Sequence, residues 1–83
     1  MPRIIDYEYN NLVGRQVRRF RKKRKLSQKQ LSEKLETMAI YICRGSISRI
    51  EDGSRTVTDI ELYGLATILE TSIASLFPEN MIN

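Results

Sequence analysis

The chain has 83 residues, 41% of them hydrophobic, and a formal net charge of +4, which suits one small domain with its own core and is too short for two. With no histidine and Cys43 as its single cysteine, it lacks the commonest metal ligand and general base and can form neither an internal disulfide nor a cysteine-cluster zinc site. Its longest apolar run, residues 38–43, falls far short of the ~20 residues that span a bilayer, and the opening residues lack the pattern of a signal peptide. The expected setting is the cytoplasm, away from any membrane.

In chain order, Leu12, Val13, Val17 and Phe20 recur at helical spacing behind Asn10 or Asn11 as a cap, predicting a first helix that runs to about Arg24. Ile5 and Tyr9 continue that period backwards, which fits either an earlier helix start or an arm packed over the core. Ser27 with Gln30 makes a capping-box pattern, and Leu31 and Leu35 mark the buried stripe of a second helix from Gln28 to about Glu36. Ile47 and Ile50 place a third helix starting near Cys43 or Arg44 and ended by Gly53, which adopts positive φ without steric cost. Thr58 with Glu61 repeats the capping box ahead of Ile60, Leu62, Leu65, Ala66 and Leu69, a fourth helix with a broad apolar face. Ser72 caps a short last helix carrying Ile73, Leu76 and Phe77, which Pro78 stops. No strand pattern survives. The expectation is an all-α, compact five-helix domain spanning residues 1–83, with its core in about 11–78 and a frayed tail from 79 onward.

The charge is unevenly placed. Residues 9–32 hold nine basic side chains and no acidic one, whereas residues 50–83 set six acidic side chains against Arg55 alone. A localised basic face draws polyanions by Coulomb attraction and counterion release, although it also serves simply as a solvated helix end.

The string Val13-Gly14-Arg15-Gln16-Val17-Arg18-Arg19-Phe20-Arg21, then Leu26-Ser27-Gln28, Leu31, Leu35 and Ile47-Ser48-Arg49-Ile50-Glu51-Asp52-Gly53, with Leu76-Phe77 at the end, resembles the Cro and phage-repressor (XRE-like) helix-turn-helix family. The resemblance covers about residues 11–78. It implies a lambda-repressor-like domain whose second and third helices form the DNA-reading unit, usually as a homodimer on a palindromic operator in double-stranded DNA. It also implies a partly buried, structural ion pair between Arg21 and Glu51, and no enzymatic activity and no cofactor.

The residues themselves agree, because a helix laid in the major groove needs small or polar side chains outside and apolar ones inside. Ile47 and Ile50 face inward in the third helix, while Arg44, Gly45, Ser46, Ser48 and Arg49 lie on or beside the outer surface. Arg44 and Arg49 are the candidates for base contacts, since a guanidinium donates two hydrogen bonds to guanine. Gln28 sits in the first turn of the second helix, where free N–H groups and the helix dipole favour a phosphate. Arg55 completes the candidate DNA contacts, and Phe77, Met81 and Ile82 are candidate dimer contacts.

Three departures from the family pattern stand out. Eleven residues, 36–46, separate Leu35 from Ile47 where about six are usual, so the turn is lengthened, and its apolar residues Met38, Ala39, Ile40, Tyr41 and Ile42 are expected to pack back on the domain. The same segment could instead lengthen the second helix, re-aim the third or grip a partner. Asp52 stands where an asparagine is usual and would repel phosphates, and Lys25 replaces a glycine at a left-handed corner. Cys43 is expected as a small buried hydrophobe rather than a redox sensor. The rival functions are a protein-interaction module, antitoxin-like or adaptor, and a basic segment, 15–25, binding RNA or anionic membrane.

Overall fold

The computed structural model describes residues 9–78. Four α-helices, α1 (Gly14–Lys23), α2 (Gln28–Glu36), α3 (Arg44–Glu51) and α4 (Asp59–Ile68), precede a single 3-10 turn, Ala74–Leu76. The expected fifth helix is thus one turn only: the Ser72 hydroxyl accepts from the Ser75 N–H at 3.1 Å, and the chain is extended again by Phe77, ahead of Pro78. No strand occurs among the described residues.

Val17, Leu31, Leu35, Ile47, Ile50, Leu65, Leu69 and Leu76 meet in a core with no exposed surface, each contributing roughly 1.5–3 kcal/mol by burial. Phe77, a candidate dimer contact, packs half-buried against that core. Met81, Ile82, Ile5 and the tail lie outside the described residues.

α1 begins at Gly14, later than its apolar period suggested, because Asn11 works as a cap from just outside it. Asn11 Oδ1 accepts from the N–H groups of Val13 (3.0 Å) and Gly14 (2.8 Å), while its Nδ2 donates to the carbonyls of Ile50 (3.0 Å) and Arg55 (2.8 Å). The Asn10 N–H donates to the Gly53 carbonyl at 2.7 Å, and Asn10 Nδ2 to that of Ser54 at 3.0 Å. Residues 9–11 therefore form an arm strapped across the end of α3, not an added turn of helix. Gly14 itself is a close approach: a Cβ there would strike the Ile50 carbonyl oxygen and stand 3.0 Å from that of Glu51.

The lengthened turn is folded. Ile40 and Ile42 are buried with Tyr41 between them at 75% exposure, the alternation of an extended segment. The Ser32 hydroxyl donates to the Ile42 carbonyl at 2.6 Å, pinning the turn to α2. Gly64 of α4 makes room for Ile40, whose Cδ1 a Cβ at Gly64 would strike. The extra residues neither prolong α2, which ends at Glu36, nor hang free.

All four helices end alike, with the paired bonds of a Schellman motif around a left-handed residue, one step past the cap in α1, α3 and α4 and two steps past it in α2. Gly53 (φ 84°) does so after α3, but Lys25 (58°), Ala39 (59°) and Glu70 (54°) take the same conformation with side chains. For Ala39, its own N–H reaches the Glu36 carbonyl at 2.9 Å and that of Ile40 reaches the Leu35 carbonyl at 3.1 Å.

Left-handed geometry costs a non-glycine residue about 1–2 kcal/mol, partly offset by the greater unfolded-state entropy of glycine. Ala39→Gly and Lys25→Gly are therefore expected to raise stability by about 0.5–1 kcal/mol each in urea unfolding. Gly14→Ala, driven into backbone rather than a movable side chain, should lower it by about 1–3 kcal/mol; an unchanged midpoint would show that α1 and α3 separate freely.

Candidate nucleic-acid interface

Three helix ends converge on Glu51. Arg21, in the last turn of α1, donates from Nε to Glu51 Oε2 at 2.6 Å and from Nη2 to Oε1 at 3.1 Å. Its Nη1 reaches the Leu26 carbonyl at 2.7 Å, in the connection to α2. Gln28 Nε2, in the first turn of α2, donates to Glu51 Oε1 at 3.1 Å. The Arg21 and Glu51 side chains are only 10% and 4% exposed, so both charges are satisfied where water cannot replace a partner. This network holds α2 and α3 against α1.

The helix pair so held exposes one face of α3. Gly45 and Ser48, one turn apart, occupy its middle, with Arg44 and Arg49 on its flanks, all four exposed and Ser46 half-buried. Arg44 has no hydrogen-bond partner among the described residues. Arg49 leans back along the helix, with Nη2 donating to Ser46 Oγ at 3.2 Å and Nη1 3.7 Å from where a Gly45 Cβ would sit. The middle of the face is consequently bare backbone and one hydroxyl between two guanidinium groups.

At the start of α2 both halves of the capping box form, Ser27 Oγ accepting from the Gln30 N–H at 3.0 Å and Gln30 Oε1 from the Ser27 N–H at 2.8 Å. The N–H groups of Gln28 and Lys29 have no acceptor among the described residues and face outward at the positive end of the helix. The Gln28 side chain, singled out for DNA, is turned inward to Glu51, so at this end it is the backbone that is open.

Arg55, another candidate contact, is occupied. Its Nη1 and Nη2 hold both Glu61 oxygens at 3.0 and 2.9 Å, and Nη1 also donates to the Thr56 carbonyl at 2.9 Å. The guanidinium holds the Glu61 carboxyl below its usual range, with the Thr58 N–H adding to the effect, and Glu61 in turn raises Arg55. Sequence spacing missed this pair, although Glu61 was legible as the capping-box acid.

One expectation is corrected. Cys43 is exposed at the N-cap of α3, not buried, because the alternation that buries Ile40 and Ile42 points it outward; hydrogen bonding with Ser46 and the charge of Arg49 draw its thiol below the ordinary range. Asp52 is exposed, but its Oδ1 accepts from the Ser54 N–H at 2.9 Å, which lowers its carboxyl and commits it to the turn after α3.

A family model of the helix-turn-helix, HTH_3, matches residues 17–76. Among solved structures, the restriction-modification controller protein C.AhdI from Aeromonas hydrophila is 28% identical with a TM-score of 0.71, covering 87% of this chain and 100% of that one. The DNA-binding domain of BldD, 24% identical over 89% of this chain and 100% of its own, shares the fold at a TM-score of 0.70. A search of curated proteins returned no match.

Truncating one member of a buried pair strands the other charge. Arg21→Ala or Glu51→Ala should each cost about 3–5 kcal/mol, whereas replacing both by apolar residues of similar size should cost much less; two near-neutral single variants would refute the pairing. The acid limb of stability should also report Glu61. Its folded pKa is depressed, so its contribution is complete above the unfolded value of about 4.3 and disappears as pH falls through the lower folded value. Glu61→Gln should flatten that limb in urea unfolding between about pH 5 and 2.

Proposed function

The chain belongs to the HTH_3 helix-turn-helix family, whose members are DNA-binding transcription regulators rather than enzymes, and on that premise we propose that it binds a palindromic operator sequence-specifically as a cytoplasmic homodimer and represses transcription. The observation that carries this reading is the outer face of α3, where Gly45 and Ser48 let the helix backbone come close to base edges while Arg44 and Arg49 flank the gap. Arg49 leaves Ser46 to reach a base, exchanging one exposed hydrogen bond for another, and Ser46 and Ser48 supply short donors beside it. The open N–H groups of Gln28 and Lys29 anchor a phosphate, with the Gln28 side chain setting the height of α2 through Glu51. Arg55, paired with Glu61, adds a phosphate contact through its remaining Nε–H or none. The basic residues of 9–32 steer the approach, and no cofactor takes part. No helix among the described residues is long and apolar enough to cross a membrane.

Selection of bound duplexes from a random pool tests the proposal, and should return a palindrome with half-site centres about 10 base pairs apart. On that site Arg44→Ala or Arg49→Ala should cost about 1–3 kcal/mol and relax preference at one or two positions, with much smaller losses on scrambled duplex. Gly45→Leu separates folding from reading: the position is open, so stability should rise by up to about 1 kcal/mol from helix propensity, while cognate affinity falls at least about tenfold. Uniform losses across all duplexes would remove base reading from this face.

A further inference from the structure

The connection between α2 and α3 carries one large side chain that neither the core nor the reading face uses. Tyr41 is 75% exposed, more than Ile60, Tyr63, Ile73 or Tyr9, and its hydroxyl makes no hydrogen bond among the described residues. A single exposed tyrosine is ordinary, but the way this one is held is not. Ile40 and Ile42 on either side of it are buried, the first in the notch at Gly64, and the Ile42 carbonyl accepts from the Ser32 hydroxyl at 2.6 Å. Ala39, just before them, takes a left-handed conformation (φ 59°) that a residue with a side chain resists. Such strain persists only where the surroundings over-determine it, so the backbone beneath Tyr41 is fixed from both sides.

We propose that the Tyr41 hydroxyl donates to a phosphate of the strand bordering the groove that α3 enters, a backbone contact supplied by the lengthened turn. The inference rests on the operator reading, in which the N-terminal residues of the reading helix meet base edges. Tyr41 stands immediately ahead of that end. The chain is extended into Cys43, the N-cap of α3, so alternation sets Tyr41 and Cys43 on one outer side, about 6.6 Å apart along the backbone, and Arg44 follows as the first residue of the helix. A helix with its side chains is about 10–12 Å across and the major groove about 12 Å wide. Inserted there, α3 fills the groove from wall to wall, and a long side chain rooted just before its first turn meets the wall, which is phosphate. A phenol donates to a phosphate oxygen without carrying charge of its own. A turn of about six residues, usual in the resembling family, has no room for two buried isoleucines and the side chain between them, so the contact belongs to the eleven-residue stretch 36–46 of this chain.

The test compares binding of the full chain to the duplex selected from a random pool and to a scrambled duplex of the same length. Tyr41→Phe removes only the hydroxyl oxygen and should weaken binding to both by about three- to tenfold, with base preference, circular dichroism and the urea midpoint unchanged. Because a neutral phenol displaces no counterion, the slope of log affinity against log salt should stay the same. Replacing phosphates of the selected duplex one at a time by methylphosphonate should reveal a position where the unaltered chain loses affinity and Tyr41→Phe loses none further. Tyr63→Phe, which removes an exposed hydroxyl from α4, should bind like the unaltered chain. A selected duplex bound equally well by Tyr41→Phe overturns the proposal and leaves the operator reading standing. A loss confined to the selected duplex, with preference relaxed at one base pair, also overturns it, because a base edge is then the partner. A chain that binds duplexes without preference yet loses affinity with Tyr41→Phe keeps the contact and removes the operator.

Discussion

The bidentate contact between Arg21 and Glu51 is the constraint from which the rest of the arrangement follows. Its value is not primarily stability, since well-packed apolar residues can do as well as a buried ion pair. It acts by exclusion. A register or tilt of α3 that separated the two groups would leave a carboxylate 4% exposed without its partner, so alternatives to the observed placement are penalised steeply. Gly14 adds a second point of contact on the same residue, its missing side chain admitting the Ile50 and Glu51 carbonyls. Positions 14 and 21 are two turns apart on one side of α1, and a helix touched at both ends of a two-turn span cannot pivot. Leu26 and Gln28 bring the start of α2 into the same set of bonds, which makes the α2–α3 angle a property of α1.

That dependence leaves the longer connection between α2 and α3 little leverage over the aim of α3. The orientation of α3 is held at its far end, by Glu51, Asn11 and Gly14, and the connection only has to bridge. Its added residues are absorbed sideways: Ile40 fills the notch left by Gly64 on α4, Ile42 enters the core, and Ser32 ties the strand-like segment to α2. The insert thereby gives α4 an apolar neighbour that a shorter turn would lack.

Most of this was legible where a residue's local chemistry and its tertiary role coincide. Both capping boxes, the start of α2 and the end of α3 at Gly53 follow from side chains that satisfy their own helix ends. Legibility failed where a residue serves a distant partner or acts against its own preference. Ala39 and Glu70 are ordinary helix formers forced into left-handed corners by the packing on either side, which no propensity reveals, whereas Lys25 stood out only because glycine is usual there. Gln28 and Arg55 have the composition of DNA contacts, and whether a long polar side chain turns outward depends on acceptors 23 and 6 residues away. Cys43 was misplaced because periodicity was unreadable across the turn: once Ile40 and Ile42 point in, alternation puts position 43 out.

In the operator complex proposed above, Asp52 sets a carboxylate beside phosphates within a chain whose overall charge pulls on DNA. Asp52 sits directly after α3, where an uncharged amide would be the less repulsive choice, and the Ser54 N–H it accepts stabilises its charge rather than removing it. The repulsion is local, since it falls off over a Debye length of about 8–10 Å at physiological salt, and it lies at the end of α3 remote from Arg44. The nine basic residues of 9–32 act over the whole approach. A negative group confined to one end of a helix otherwise flanked by guanidinium groups penalises docked poses in which that end comes closest to a phosphate strand. In the proposed complex its effect falls on the angle at which α3 would enter the groove more than on affinity, adding from the surface to the orientation that Glu51 enforces from within.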